Sequence, residues 1–445
     1  MNAEFLLVIP AALGGVAISA IVACIPGMHI YNVMGLLVLA LLHGTGNGTG
    51  LSPEVLTGTA IGLVGGYSVF NTVPAILLSA PDESSMFTVL PGQKLFLRGR
   101  GIDAVAITAI GSAAGLLLLM FVMAPLAPVL LPDVYRTLQL HTHWIIWCVI
   151  IFMLMSEWPR TAPSGQAGWF RFLNSCKNGF LGIIVFLLSG LLGFILFYSP
   201  ITSAGTAFQN LMPAFIGLFT LPWLILNIAV GTNPPQQNTN PTAGISSGTV
   251  SRGALAGALG GGFAAFFPVV TGGVGGFLAG HATAINDSRT FLISQGASKL
   301  IYYTGGLLLF FVPGLEIRRG GGAWMINGLM AYSGRYQYLS ALLAAAVSGS
   351  AALLLILPLS RLVLRLIGLV GFRLISIIAL GFSVMIVIAV NGIPGAGIMV
   401  VAAGIGLLPV LFGTRRMNCL GVIMLPLACN MSGAGVLIAH KIGLI

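Results

Sequence analysis

The segment Ala80-Pro81-Asp82-Glu83-Ser84-Ser85-Met86-Phe87-Thr88-Val89-Leu90-Pro91-Gly92 sets two adjacent carboxylates and three hydroxyls between prolines, inside otherwise apolar sequence. A carboxylate at membrane depth is costly unless it is paired or wetted. Asp82 and Glu83 are therefore read as groups that bind a coupling ion or carry a proton, and Ser84, Ser85 and Thr88 as substrate-binding hydroxyls. A solvated loop held by Lys94, Arg98 and Arg100 accounts for the same residues about equally well.

A second candidate lies earlier. Pro26 and Gly27 interrupt an apolar stretch from Phe5 to Leu42; proline cannot continue the helical ladder and glycine accepts left-handed dihedrals. A half-helix starting near Met28 would present its N-terminal amides, followed by His29, Tyr31 and Asn32, and such an end attracts a carboxylate or phosphate. A plain turn at the membrane surface is the competing explanation. Asn71, three residues before Pro74, would turn its amide into a cavity or bond a neighbouring helix.

In the second half, Asn286, Asp287, Ser288 and Arg289 form another polar interruption. Arg289 can grip a carboxylate bidentately or pair with Asp287, which joins the coupling-ion candidates. Ser294, Ser298 and Lys299 would extend one polar helix face toward that site, or Lys299 would reach for the membrane interface. Paired interruptions in two halves are a sequence pointer to a transport site.

The elements that must position these groups are membrane helices. The 445 residues are 57% hydrophobic and 6% charged, far below the charge of a soluble domain. With no water to satisfy peptide groups, spanning segments must be helices or closed barrels, and the long continuous apolar runs exclude an alternating barrel pattern. The expected fold is all-α: a polytopic integral membrane protein with roughly ten to twelve crossings, some of them broken or re-entrant. The 61 glycines and 23 prolines suit close helix packing and broken helices. The net charge of +10 is dispersed through short loops, which fits orientation in a bilayer and not nucleic-acid binding. The clusters Lys94, Arg98, Arg100 and Arg160, Arg171, Lys177 are expected on the cytoplasmic side. Arg318, Arg319 and Arg335 then conflict with Arg361, Arg365 and Arg373, unless residues 359–373 form an interfacial helix.

An internal echo suggests duplication. Ala12-Leu13-Gly14-Gly15 leads to Pro26-Gly27 as Ala258-Leu259-Gly260-Gly261 leads, at the same distance, to Gly272-Gly273. The expected division is a first repeat half over residues 1–231, a polar linker over 232–252 containing the proline-punctuated amides of 231–241, and a second half over 253–445. No nucleophile elbow, zinc-ligand pair, P-loop or dinucleotide fingerprint occurs, and the five cysteines lack metal-ligand spacing. No cofactor is expected beyond a coupling Na+ or H+.

These residues resemble a known family. Leu13-Gly14-Gly15 to Pro26-Gly27, then Ile76 to Glu83, then Gly99-Arg100-Gly101 before Ala109-Ile110-Gly111-Ser112, look like the large permease subunit of tripartite tricarboxylate transporters. They are closest to its divergent archaeal-type branch, through Pro26-Gly27-x-His29-x-x-Asn32, Ala80-Pro81-Asp82-Glu83, Leu90-Pro91-Gly92 and Arg289 to Gly296. Gly65-Gly66-Tyr67 and Pro81-Asp82-Glu83 depart from the usual Tyr-Gly-Gly and Pro-Gly-Glu, which puts the substrate's identity in question.

The resemblance implies two inverted repeats and a central site for a small organic anion of the di- or tricarboxylate class, driven by protons or sodium. It also implies a small membrane subunit and an extracytoplasmic solute-binding protein as partners, and a place in the cytoplasmic membrane. Two other functions remain open from the residues: a translocase for an anionic lipid head group such as polyprenyl phosphate, and a membrane-embedded hydrolase or transferase using Asp82 and Glu83 with His29 or His281.

Overall fold

A computed structural model describes residues 3–44, 51–157, 168–199, 201, 207–231, 234–242, 244–315, 317, 320–327, 329 and 334–445. Arg160, Thr232, Asn233, Arg318 and Arg319 lie outside the described residues. The chain is all helix among the described residues, with no strand. In order the main helices are α1 Val8–Ala23, α2 Ile30–Gly44, α3 Pro53–Phe70, α4 Thr72–Leu77, α5 Met86–Phe96, α6 Gly101–Leu118, α7 Ala124–Leu138, α8 Thr142–Met155, α9 Gly168–Tyr198, α10 Ala207–Phe215 and α11 Leu221–Val230. There follow α12 Ser247–Phe266, α13 Gly272–Ala282, α14 Ser288–Leu300, α15 Gly320–Asn327, α16 Arg335–Val370, α17 Phe372–Phe412, α18 Gly421–Met431 and α19 Gly435–Lys441.

Among the described residues, six helical stretches are long and apolar enough to cross a membrane, or seven if one bent pair counts as a span. That is fewer than the hydropathy runs suggest, because several runs are split or short. The apolar run over 253–281 breaks between α12 and α13 at residues 267–271, and α17 carries a left-handed Gly392 (φ 68°) inside its 41 residues. Residues 359–370 are not an interfacial helix of their own: α16 runs through Pro358 to Val370.

The chain folds into two compact units, and neither is a sequence half. One unit takes residues 1–137 and 227–380, the other 138–226 and 381–445, so each draws one stretch from each half. Within the first unit the packing repeats itself. Helix α1 packs on α3, and both pack on α16; α12 packs on α14, and both pack on α6. In each triplet two helices come from one half and the third from the other. The short helices follow suit, α2 against α15 and α13 against α5.

Small residues permit this closeness. A methyl group built on Gly62 would lie 2.2 Å from the Ala12 carbonyl oxygen, and one on Gly15 would lie 2.5 Å from that of Thr59. In the other triplet the same holds for Gly261 against Ser298 (2.6 Å), and for Gly111 and Gly296 against the carbonyls of Ile293 and Thr108 (2.0 Å each). Helices without a solvent-driven reason to associate depend on such backbone approach. The echoed Gly15 and Gly261 thus do the same job in both triplets.

The expected linker is not a free tether. Its last residues begin α12, and the part before them straps the turn between α5 and α6. Gln237 accepts the Gly101 N–H (2.9 Å) and donates to the Phe96 carbonyl (2.9 Å), Asn238 N–H bonds the Gly99 carbonyl (2.8 Å), and Thr242 N–H bonds Asp103 (2.6 Å). Prolines and amide side chains suit an extended strap that must satisfy another segment's backbone.

Candidate functional site

The polar residues of the first unit converge where helices break. Helix α3 ends at Asn71 and α4 stops at Leu77; the chain then runs irregularly to Ser85 before α5. A break at this depth exposes carbonyls that side chains must satisfy. Gln93 donates to the Ile76 carbonyl (3.1 Å) and to the Ser79 hydroxyl, and Asn227 donates to the Leu78 carbonyl (3.0 Å). Ser79 itself is held at φ 54°, a left-handed conformation that a non-glycine residue keeps only where its surroundings enforce it.

Inside this break Asp82 is wrapped by donors. Its Oδ1 accepts from the backbone N–H and hydroxyl of both Ser84 (3.1 and 2.9 Å) and Ser85 (2.7 and 2.6 Å). Its Oδ2 accepts from the Tyr67 hydroxyl (3.0 Å), the Asn71 amide (3.1 Å) and the Tyr303 hydroxyl (3.2 Å). Donors on this scale are what a buried carboxylate needs to stay ionised. Neither Asp82 nor Glu83 forms an ion pair with Lys94, Arg98 or Arg100; Arg100 pairs with Asp103 at 2.6 Å.

Glu83 faces His29. The imidazole Nε2 stands 2.9 Å from Glu83 Oε1 and 3.1 Å from the Tyr303 hydroxyl, while Nδ1 accepts the Tyr31 N–H at 3.2 Å. An Nδ1 that accepts from an amide assigns the proton of a neutral ring to Nε2, which then donates to Glu83. His29 is brought here by the break between α1 and α2, where Gly27 takes φ 86°. The matching break between α12 and α13 also reaches the site: the Thr271 hydroxyl, which accepts the Val274 N–H as an N-cap, lies 3.2 Å from the Glu83 carbonyl. A methyl group on Gly273 would lie 2.5 Å from the Ser84 carbonyl, so this approach needs a glycine.

The countercharge comes from α14. Lys299 is fully buried, and its Nζ donates to Asn71 Oδ1 (2.7 Å) and Thr72 Oγ1 (2.6 Å). Asn71 therefore links cation and anion, taking a proton donor from Lys299 on its oxygen and giving one to Asp82 from its nitrogen. Just beyond Lys299 the helix widens into a π-helical turn over Ile301–Gly305, a distortion frequent at functional sites, and this turn carries Tyr303. The rings of Tyr67 and Tyr303 meet edge-on at 5.6 Å, and His29 lies 5.4 Å from Tyr67.

Of the residues read from the sequence, the structure gathers His29, Asn71, Asp82, Glu83, Ser84 and Ser85. Thr88 is buried one turn on, its hydroxyl donating to the Ser85 carbonyl (2.6 Å), and Asn32 is buried in the first turn of α2. Pro26 and Gly27 form the break that positions His29. The second interruption lies elsewhere. Asn286, Asp287, Ser288 and Arg289 are exposed; Asp287 caps α14 through the Thr290 N–H (2.8 Å), and Arg289 reaches the Gly244 carbonyl (3.2 Å) and not Asp287. Ten residues of helix, about 15 Å, separate Arg289 from Lys299. Ser294 is buried on the same helix, its hydroxyl without a hydrogen-bond partner among the described residues. His281 bonds the Phe277 carbonyl at 3.0 Å and meets that ring edge-on at 4.2 Å, apart from the acids.

Tyr67, Thr72 and Tyr303 join the cluster without having been singled out. A signal existed for Lys299, a lone cation between Ser298 and an apolar run; nothing in the spacing marks Tyr303, whose direction depends on the π turn. One ligand atom each from His29, Asp82 and Glu83 lie within 4.8 Å of one another. The Asp82 oxygens already face seven donors, so as it stands the set is an ion-pair and hydrogen-bond network.

The chain matches the model of the tripartite tricarboxylate transporter TctA family over residues 9–421. It is 24% identical over 420 residues to the uncharacterized protein MJ1079 of Methanocaldococcus jannaschii, covering 93% of this chain and 96% of that one. No solved structure matches. The family match includes every residue of the cluster and runs through both units, so this multi-pass membrane protein belongs to the tripartite tricarboxylate transporter TctA family.

Proposed function

We propose that the chain is a secondary-type permease that carries an organic anion of the di- or tricarboxylate class across the cytoplasmic membrane, coupled to a proton or sodium gradient. The cluster around Asp82, Glu83, His29 and Lys299 is the place where anion and coupling ion meet. A small membrane subunit and an extracytoplasmic solute-binding protein act with it in this reading, as the family's name implies of its members.

The observation that carries the reading is the charge balance. In the form in which Nδ1 accepts the Tyr31 N–H the His29 ring is neutral, and Asp82 and Glu83 then oppose the single cation Lys299, leaving one negative charge for an entering proton or cation to balance. An anion approaching it is repelled until a cation enters, which makes anion binding conditional on the coupling ion. Asp82 is saturated, so the entering cation acts at Glu83, whose carboxylate faces His29 at 2.9 Å. A carrier also suits this chemistry better than a hydrolase. His29 and Glu83 are within acid–base reach, but the neighbouring Ser84 and Ser85 hydroxyls are committed to Asp82.

The test is uptake of labelled citrate and succinate into proteoliposomes, with and without imposed proton and sodium gradients, adding the partner subunits in parallel. Wild type is expected to accumulate substrate under one of the two gradients. Glu83→Gln, neutral without a cation, is expected to exchange substrate but not to accumulate it. Accumulation by Glu83→Gln equal to wild type, or no uptake of either carboxylate with partners present, refutes the proposal.

A further inference from the structure

The second unit holds a different set of buried donors. Helix α10 passes through a π-helical turn, Ile216–Thr220, into α11, and the 3-10 turn Arg416–Leu420 follows α17. The Phe219 carbonyl accepts from Arg416 Nη1 (3.1 Å), and the guanidinium carbon sits 4.1 Å from the centroid of the Trp223 ring. Three donor groups here are buried yet have no acceptor among the described residues: Arg416 Nη2, the Trp223 indole N–H and the Thr414 hydroxyl.

A buried guanidinium without a carboxylate is expensive, and so is an unpaired indole N–H. Glu157 is the acid that touches this segment. Its Oε1 accepts the Arg415 backbone N–H and the Asn418 side-chain amide, both at 2.7 Å, and no carboxylate of a described residue forms an ion pair with Arg416. Among the described residues, Arg415 and Arg416 against Glu157 leave one excess positive charge.

We propose that Arg416, Trp223 and Thr414 form a second oxyanion site, which takes a phosphate or carboxylate group. All three offer donors, so the ligand must be acceptor-rich, and a planar guanidinium fork matches oxygens carried on one phosphorus or carbon. The site lies just past the end of α17 and at the start of a broken apolar stretch, Arg416–Met431 with Gly435–Lys441, bent by 114°. Span ends meet the membrane interface, so the oxyanion comes either from a lipid head group or from a soluble anion. The site shares no residue with the Asp82 cluster and does not depend on the transport reading.

The full chain, purified in detergent, is melted at fixed ionic strength against inorganic phosphate, citrate, or micelles doped with phosphatidylglycerol, with chloride and phosphatidylcholine as controls. At least one of the three is expected to raise the wild-type melting temperature saturably, and which one does so names the source. Arg416→Gln is expected to raise the half-saturating concentration by about tenfold or more, and Trp223→Phe, which keeps the ring and loses the N–H, by severalfold. If Arg416→Gln does not fold, Trp223→Phe carries the test. No saturable stabilisation by any of the three, or half-saturation unchanged in the variants that fold, overturns the proposal.

Discussion

Replacing Lys299 with methionine keeps the bulk of the side chain and deletes its charge. Lys299 is fully buried and reaches Asp82 through Asn71, with hydrogen bonds of 2.7 and 3.1 Å on either side of that amide. Allowing about 2.3 Å across the amide, charge and carboxylate are at most about 8 Å apart. At an effective dielectric of about 20, this separation gives roughly 2 kcal/mol of attraction. Lys299→Met forfeits that and leaves Asp82 without its cation. Asp82→Asn forfeits it too, and adds the loss of a carboxylate that seven donors face. If cation and anion hold each other as described, the double variant Lys299→Met/Asp82→Asn loses the attraction once and not twice. Melting of the four proteins in one detergent should show a coupling of about 2 kcal/mol, with the double variant more stable than the two single losses sum to. Additivity within about 0.5 kcal/mol would refute the claim that Lys299 is the countercharge of Asp82.

Four further outcomes follow from the same structure. Tyr303→Phe removes one donor from Asp82 and the neighbour of His29 Nε2; uptake should fall well beyond the about 1 kcal/mol that a lost hydrogen bond costs in stability, and equal losses in both would make Tyr303 a packing residue only. Asp287→Ala should destabilise α14 by about 1 kcal/mol through its lost N-cap while leaving half-saturation for substrate unchanged; a changed half-saturation would return the second interruption to the site. Partial burial raises the Asp287 carboxyl, yet the hydrogen bonds from Thr290 outweigh it and hold the group below the ordinary carboxylate range. The cap's contribution is therefore present at neutral pH and is lost as pH falls through the folded-state value, so the melting difference between wild type and Asp287→Ala should close in acid. Gly111→Val, driven into the Ile293 carbonyl, should cost about 1–3 kcal/mol or the folded protein itself, read as the monodisperse fraction after solubilisation.

The fold class was legible because hydropathy runs and scarce charge leave a chain no soluble alternative. The first-half cluster was legible for a related reason: Asp82 and Glu83 stand beside two serines in apolar sequence, and such residues are tolerated only where they have work or partners. The second interruption looks similar in composition to Asp82 and its neighbours, but the structure does not bring Asp287 and Arg289 to them. An Asp before a helix is equally suited to capping it, and that is its place here. What the sequence concealed was Lys299's partner set, since Asn71 and Thr72 are more than two hundred residues away. The exchange of one helix between triplets was hidden for the same reason: periodicity describes a helix, not its neighbours.

The repeated packing is one of scaffold and not of chemistry. Gly15 meets the Thr59 carbonyl as Gly261 meets that of Ser298, and this fixes how α3 aligns with α14. On that alignment Lys299 falls opposite Ala60 and Tyr303 opposite Val64, while Tyr67 and Asn71 fall opposite Gly306 and Phe310. Counting from the echoed Gly-Gly pair, His29 falls opposite Gly275. Each half thus supplies polar groups where the other is small or apolar. Two aligned copies of the cluster would bury two sets of uncompensated carboxylates, at a cost of several kcal/mol per ion. Divergence instead builds one cluster from both halves, in which α3 and its following break give the anion and α14 gives the cation. On the carrier function proposed above, a unit with repeated packing but a single charged centre has one binding event per chain to couple to its ion. The breaks before α2 and before α13 both end at that centre, the first through His29 and the second through Thr271, so the two equivalent breaks meet one charged cluster.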